Sequence, residues 1–272
     1  LASALSVVVL GDQSGYALTD NQKMKLASLE AMWHTEPAPA PFNVLAWPNE
    51  ATMQNDWQVQ VPWLMGLIGT RSLSQQIPGI HEIVAKNRLR IESGIEAVKA
   101  LDRLRANRND AEARELFERH KADLGFGLLL KKYTPDVTLA TAAMIDAAAR
   151  DTIPGVTPMF WTFRVMAGLG FYLIAFFALA FYYSCRNNFQ DKRWFLKLAL
   201  WTLPAPWIAI ECGWFIAEYG RQPWAVEGVL PTFYAASGLA LHQIVLTLAG
   251  FVALYTVLMI IEIKLMLKVI RK

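Results

Sequence analysis

The sequence predicts an all-α, polytopic membrane protein with a large extramembrane, mostly helical loop. Three observations carry that prediction. Charge is unevenly distributed: residues 1–156 hold 34 of the 49 charged side chains, 16 basic and 18 acidic, and residues 157–272 hold 10 basic and 5 acidic. The charge-poor part contains three stretches long enough to cross a bilayer, which takes about 20 apolar residues. The charge-rich part favours helix, with opposite charges three or four residues apart, as between Glu96 and Lys99, with Glu92 one turn before Glu96. Over all 272 residues, 54% are hydrophobic and 18% charged, below the roughly 25% charged of soluble domains. That split argues against a two-domain soluble enzyme. The net charge of +3 sits beside apolar segments rather than in a basic patch, which argues against a nucleic-acid partner.

From the start of the chain, LASALSVVVL (1–10) is too short to span a bilayer. It lacks the basic flank and small-residue cleavage site of a signal peptide. It reads as the end of a transmembrane helix whose beginning is not supplied, and the chain as partial or processed. GDQSGYALTDNQ reads as a turn-rich lead-in to the loop 11–156. Residues 20–33 read as a helix capped by Thr19 or Asp20, with Met24, Leu26, Leu29 and Met32/Trp33 apolar. EPAPAPFNVLAWP is Pro-rich and non-helical. Residues 80–121 read as helix whose charges form a solvated face.

The remainder, 157–272, reads as three transmembrane helices. The first, about 163–186, contains 21 uncharged residues between Arg164 and Arg186. The second, about 194–219, has Lys197 near one end and Glu211 and Glu218 near the other. The third, about 237–266, lies within the 34 uncharged residues between Glu227 and Glu262, with Pro231 at its approach. The link CRNNFQDKR carries Arg186, Lys192 and Arg193, and the C-terminus carries Lys264, Lys268, Arg271 and Lys272. The link 220–235 has only Arg221, opposed by Glu227. The positive-inside rule therefore places the first link and the C-terminus in the cytoplasm, and 11–156 and 220–235 outside.

Carboxylates within a span are costly, at least about 2.5 kcal/mol at the bilayer centre, and usually have a partner. On a helix Trp207, Glu211, Trp214, Glu218 and Arg221 fall within an arc of about 80°. Two readings stand: an interfacial ion pair with an aromatic belt, or a lined cavity that holds a charged cofactor or passes protons. Met166 alone reads as core filler, and it lies about 200° from Arg164 on the same helix. His34, His81 and His120 read as surface residues, and His242 as a polar residue facing neighbouring helices. Cys185 and Cys212 form no CxxC, so neither a zinc site nor a redox pair is indicated.

The motifs GRQPW (220–224) and WFIAEY (214–219) resemble those of subunit I of the cytochrome bd quinol oxidases. GDQSGY (11–16), QKMKLASLEAMW (22–33), GLLLKKYTP (127–135) and FRVM (163–166) fit the same family in the same order. The long insertion resembles its long-Q-loop subgroup, and the chain resembles the C-terminal half of that subunit. The resemblance implies a multi-pass protein of the bacterial inner membrane whose periplasmic Q loop binds quinol. The whole complex would oxidise quinol, reduce O₂ to water and generate a proton gradient. It would carry low-spin haem b, high-spin haem b and haem d. Its partners would be subunit II, small single-helix subunits and the N-terminal half of subunit I.

By motif match, Met166 would be an axial ligand of low-spin haem b, with Arg164 beside that haem. Glu218 would ligate high-spin haem b, with Arg221 near its propionates and Trp214 on the electron path. Lys25 and Glu30 would belong to the quinol site, joined by Asp12, Tyr16 and Gln22. A further acidic residue of the family's Q loop falls within 46–56. The family's histidine ligands lie in the N-terminal half, outside this sequence. A regular helix would set Lys25 and Glu30 about 140° apart, so one ring can meet both only if the helix is irregular or the pocket wraps around it. Two rival readings are a non-enzymatic membrane anchor or assembly subunit, and a proton or solute transporter.

Overall fold

The computed structural model describes residues 1–186 and 192–271, apart from the Asp20 side chain. It divides into two units, 1–234 and 235–272. The fold is all-α, with three helical stretches long and apolar enough to cross a membrane and a mostly helical loop that also holds a small hairpin.

The first unit opens with α1 (Ala2–Asn21) and α2 (Lys23–Leu29). The lead-in expected at 11–22 is therefore helical up to Asn21. A Cβ at Gly11 or Gly15 would meet nothing within 4 Å, so these glycines mark no tight turn. Helix tolerates each at about 1 kcal/mol. The break falls at Gln22, with φ −133° and ψ 61°. Gln22 is also the N-cap of α2 and makes no side-chain capping bond. Thr19 does not cap either; its hydroxyl donates to the Gly69 carbonyl at 2.7 Å. The expected cap at Asp20 lies outside the described side chains.

An antiparallel hairpin follows, β1 (Phe42–Asn49) with β2 (Gln54–Val61), and Leu45 lies opposite Val59. The Pro-rich stretch is non-helical as expected, but the strand partner in 54–61 was not. Next come α3 (Ile80–Ala106), α4 (Ala111–His120), α5 (Leu124–Leu129) and α6 (Ala142–Arg150). The helix expected over 80–121 is thus two, separated where the Asp110 side chain accepts from Ala113 N and starts α4. Lys99 pairs with Glu96 at 2.7 Å, whereas Glu92 pairs with Arg88 at 3.7 Å. Helices α3 and α5 touch through their backbones: a Cβ on Gly94 would lie 2.3 Å from Gly127 N, and one on Gly127 would lie 2.2 Å from Gly94 O.

Helix α7 (Val156–Cys185) is 30 residues long and contains an 18-residue window of mean hydropathy 2.1. The next stretch, Arg193–Tyr219, has an 18-residue window of mean hydropathy 1.2 and is broken into α8 (Arg193–Thr202) and α9 (Ala205–Tyr219). The break was not foreseen, yet its cause is Pro204, which lacks an N–H and crowds the preceding turn. Beyond α9 lie β3 (Trp224–Val226), β4 (Leu230–Pro231) and the short helix α10 (Thr232–Ala235). One core joins α2, the start of α3 and the start of α7 through Leu26, Met32, Ile80 and Phe160. A second joins α3, α5, α6 and Trp224. A third, small one packs Leu29, Met159 and Ile216, with Met166 at its margin.

The second unit contains α11 (Leu241–Ile270), 30 residues with an 18-residue window of mean hydropathy 2.6 and no buried residue. It begins four residues later than expected, where Gln243 Oε1 accepts from Ala240 N. Lys272 and residues 187–191 of the first inter-span link lie outside the described residues.

Candidate functional site

Glu30 follows the last residue of α2, and Arg164 lies in the third turn of α7. Their side chains are 4% and 10% exposed and meet with Nη2 at 2.7 Å from Oε2. The guanidinium also donates to the carbonyls of Leu29 at 3.2 Å and Val44 at 3.1 Å, and to that of Asn43. It lies over the rings of Phe160 at 4.1 Å, Phe42 at 4.8 Å and Phe163 at 5.2 Å. Arg164 thus fastens α2 and β1 to α7. Burial pushes the Glu30 carboxyl up to about 7, although Arg164's charge and hydrogen bonds pull the other way. Desolvation disfavours the charged form, and here it outweighs the neighbouring cation.

Lys25 faces elsewhere. Its ammonium donates to the Ala217 carbonyl of α9 at 3.4 Å. It lines a half-open cavity of about 690 Å³ that also takes in Lys86, Arg90, Arg221, Trp224 and Glu227. Desolvation lowers the Lys25 pKa, and Arg221 adds to that, while Glu227 and Glu218 oppose it. Glu227 has an exposed surface but is crowded at this rim, and desolvation raises its pKa against the pull of Lys25 and Arg90. Gly220 makes the approach possible. A Cβ there would lie 2.3 Å from Met159 Cε, 2.6 Å from the Ile216 carbonyl and 3.1 Å from Lys25 Cε. The opposite wall is stiff: Trp224 packs on Phe126 at 4.9 Å, and Arg90 covers that ring while bonding Asp123 at 2.6 Å.

The carboxylate-bearing face of α9 is open. Glu218 accepts from Arg221 at 3.0 Å, with side chains 48% and 40% exposed. Trp207, Glu211 and Trp214 are exposed along the same helix. On the side of α9 that packs against α7, Met166 Sδ would lie 3.4 Å from a Cβ on Gly213. Among the described residues no three His, Cys, Asp or Glu side chains converge to hold a bare metal ion. The donors on offer are single ones: the half-buried Met166 thioether and the exposed Glu218 carboxylate. That set suits haem iron, whose macrocycle needs only axial donors.

The remaining expected residues are dispersed. Asp12 bonds Arg71 at 2.6 Å, and Arg71 lies 4.6 Å over the Tyr16 ring. Gln22 only joins α1 to α2. Lys25 and Glu30 face different surroundings, and Glu30 does not line the Lys25 cavity. The acidic residues of the 46–56 segment are Glu50, which accepts from Thr157 N at the start of α7 at 2.9 Å, and Asp56, which accepts from Asn49 at 3.0 Å. His34 stacks on His81 at 4.4 Å and His120 bonds Ser93 at 2.9 Å, so His81 and His120 are half-buried rather than on the surface. Sequence reasoning missed Arg71 and Arg90, whose partners Asp12 and Asp123 lie far along the chain, and Lys86, which only the fold brings to the cavity. It noted Glu227 only as a loop charge, though three residues after GRQPW it was already next to the motif.

Met166 and Glu218 thus lie on two helical stretches that are each long and apolar enough to cross a membrane. The chain belongs to the cytochrome bd terminal oxidase subunit I family, which it matches over residues 1–272. It is 41% identical over 267 residues to cytochrome bd-II ubiquinol oxidase subunit 1 of Escherichia coli K12, covering 98% of this chain and 52% of that protein. It is 21% identical over 273 residues to cytochrome bd ubiquinol oxidase subunit 1 of Bacillus subtilis 168, covering 100% of this chain and 46% of that protein. The chain therefore spans about half the length of the curated relatives it matches.

Proposed function

We propose that this chain works within a respiratory terminal oxidase of the bacterial inner membrane that oxidises quinol on the periplasmic side and reduces O₂ to water. The reaction would build a proton gradient. The observation that carries the proposal is the pairing of an open Glu218–Arg221 face on α9 with the Lys25 cavity beside it, in a chain matched throughout by one family. Subunit II, small single-helix subunits and the rest of subunit I would complete the assembly.

Haem would supply the one-electron and O₂ chemistry. Met166 would hold low-spin haem b by its sulfur, with Arg164 as a neighbouring charge. Glu218 would hold high-spin haem b, and Arg221 would offset propionate charge. Haem d would depend on residues outside this chain. Trp214, exposed on the same face, would lie on the electron path.

Lys25 and Glu30 would do different work. Lys25 would orient a quinol oxygen from the cavity. Glu30, outside that cavity, would receive a proton relayed from the quinol rather than touch the ring, a role suited to a carboxyl with a pKa of about 7. Asp12, Tyr16 and Gln22 would shape the surroundings through Arg71 and the α1–α2 join. A reduced-minus-oxidised visible spectrum of the purified complex tests the proposal. Both b- and d-type bands are expected, and a spectrum without haem bands rejects it in favour of an anchor or transporter.

A further inference from the structure

The β1–β2 hairpin is anchored along the first turns of α7. The Pro48 carbonyl accepts from the Thr157 hydroxyl at 3.4 Å, Trp47 meets Trp161 edge-on at 6.0 Å, and the Val44 carbonyl accepts from Arg164 at 3.1 Å. Strand β1 therefore runs antiparallel to α7. Moving from Thr157 to Arg164 along the helix, about 10 Å at 1.5 Å per residue, leads from the hairpin's turn to its open end. The 21 uncharged residues of α7 start directly after Arg164. The open end is thus level with the start of the apolar span, and the turn lies farther out.

The chemistry of the hairpin follows the same gradient. Its acidic residues, Glu50 and Asp56, sit at the turn. No charged residue occurs in 37–49 or in the 14 residues 57–70. Yet Leu45, Val59, Val61 and Trp63 are exposed, Trp63 by 68%, and so are Leu67 and Ile68 beyond it. A charge-free surface that mixes tryptophan, aliphatic and amide side chains suits the boundary between headgroups and acyl chains.

We propose that the open end of this hairpin, with Trp63 to Ile68 beyond it, rests in the headgroup layer of the leaflet that α7 enters. The contact is with lipid, and it does not depend on lipid charge, because the segment carries none. It goes beyond the proposed oxidase activity and relies only on α7 crossing the bilayer.

The test uses the assembled complex in lipid nanodiscs. Cys185 and Cys212 are replaced by serine, and spin labels are placed at V59C, W63C and, as a water reference, T52C. Labels at 59 and 63 should show a several-fold higher ratio of collisions with O₂ to collisions with a water-soluble nickel reagent than the label at 52. Equal ratios at all three sites overturn the proposal. So does shielding of 59 and 63 from both reagents, which would mean that protein covers the patch. The unlabelled complex provides a second measurement that requires no substitution. Lipids with a headgroup photo-crosslinker should modify peptides from 57–70, and lipids with an acyl-chain photo-crosslinker should modify 165–185. Acyl-chain labelling of 165–185 with no headgroup labelling of 57–70 rejects the hairpin contact alone. No labelling of 165–185 removes its premise and rejects it too.

Discussion

Arg164 reaches back 134 residues to pair with Glu30, and Nη1 and Nη2 lie 3.5 and 2.7 Å from the two carboxylate oxygens. With the carbonyls of Leu29, Asn43 and Val44, the pair joins three segments at one guanidinium. Burying two charges in this way is costly, and the pair holds only because each is hydrogen-bonded.

The first prediction concerns pH. The Glu30 pKa is raised from 4.5 to about 7. Below the ordinary value the residue is protonated in folded and unfolded chains alike. Between the two values the folded chain keeps a proton that the unfolded chain has lost. This contribution to stability is therefore present in full at low pH and is lost as pH rises through about 7, by roughly 3 kcal/mol in total. Thermal unfolding of wild type and Glu30→Gln from about pH 5 to 8 should show a falling stability that the variant lacks. Parallel curves would count against the raised pKa. Glu30→Ala, which strands Arg164, should cost about 3 kcal/mol, the low end for a broken buried pair because three carbonyls still hold the guanidinium.

The second prediction separates Lys25 from Glu30. Lys25→Ala should raise KM for quinol roughly tenfold, equivalent to one charge-assisted hydrogen bond of about 1.5 kcal/mol. Glu30→Ala should act mainly on kcat. Because the two side chains share no partner, their effects should add within about 0.5 kcal/mol in the double variant. Steady-state kinetics with a soluble quinol measures all three, and wild-type values in both single variants would remove the assignment. The haem bands should be unchanged throughout.

A third prediction concerns the haem donors. Met166→Leu keeps volume and loses the sulfur, so the low-spin haem b signal should change while the others persist. Glu218→Ala should deplete high-spin haem b and leave Arg221 unpaired. Glu211, on the same face, should affect proton access more than haem content. Visible spectra of the variant complexes decide. Three intact haems in Glu218→Ala would reduce that carboxylate to an ion-pair partner.

Helix periodicity and apolar run length made the spans legible, because bilayer thickness fixes how many apolar residues a span needs. Local rules also gave the Lys99–Glu96 pair and α3. They did not give the hairpin, although Trp57, Val59 and Val61 alternate with glutamines in its strand 54–61, QNDWQVQV, because that alternation is short and its partner β1 lies in the Pro-rich stretch. Nor did they give the break at Pro204, since apolar composition continues across it. For the candidate site, the Glu218–Arg221 contact follows from i,i+3 spacing across the end of α9. The Glu30–Arg164 and Asp12–Arg71 contacts join positions 134 and 59 apart, and no periodicity encodes them. The 140° separation of Lys25 and Glu30 was the one local hint that they serve different surroundings.

Topology supplies the fourth prediction. The basic residues flanking the first link, Arg186, Lys192 and Arg193, exceed those of the 220–235 link. Protease added to intact spheroplasts should cut within 11–156, at exposed sites such as Arg105 and Arg108 at the end of α3, and leave the C-terminal residues untouched. Cleavage of 11–156 only in inside-out vesicles would reverse the orientation and move the quinol site to the cytoplasmic side.

The Arg164 clasp also sets an order of events during synthesis. Glu30 leaves the ribosome 134 residues before its partner, roughly 7 to 27 seconds earlier at 5–20 residues per second. During that interval α2 and β1 have no cation to gather them, and Glu30 is an ordinary solvated carboxylate. The loop can therefore complete its fold only after α7 has begun to enter the membrane. Nascent chains arrested before residue 164 should expose 30–61 to protease, and chains arrested after α7 has emerged should protect it.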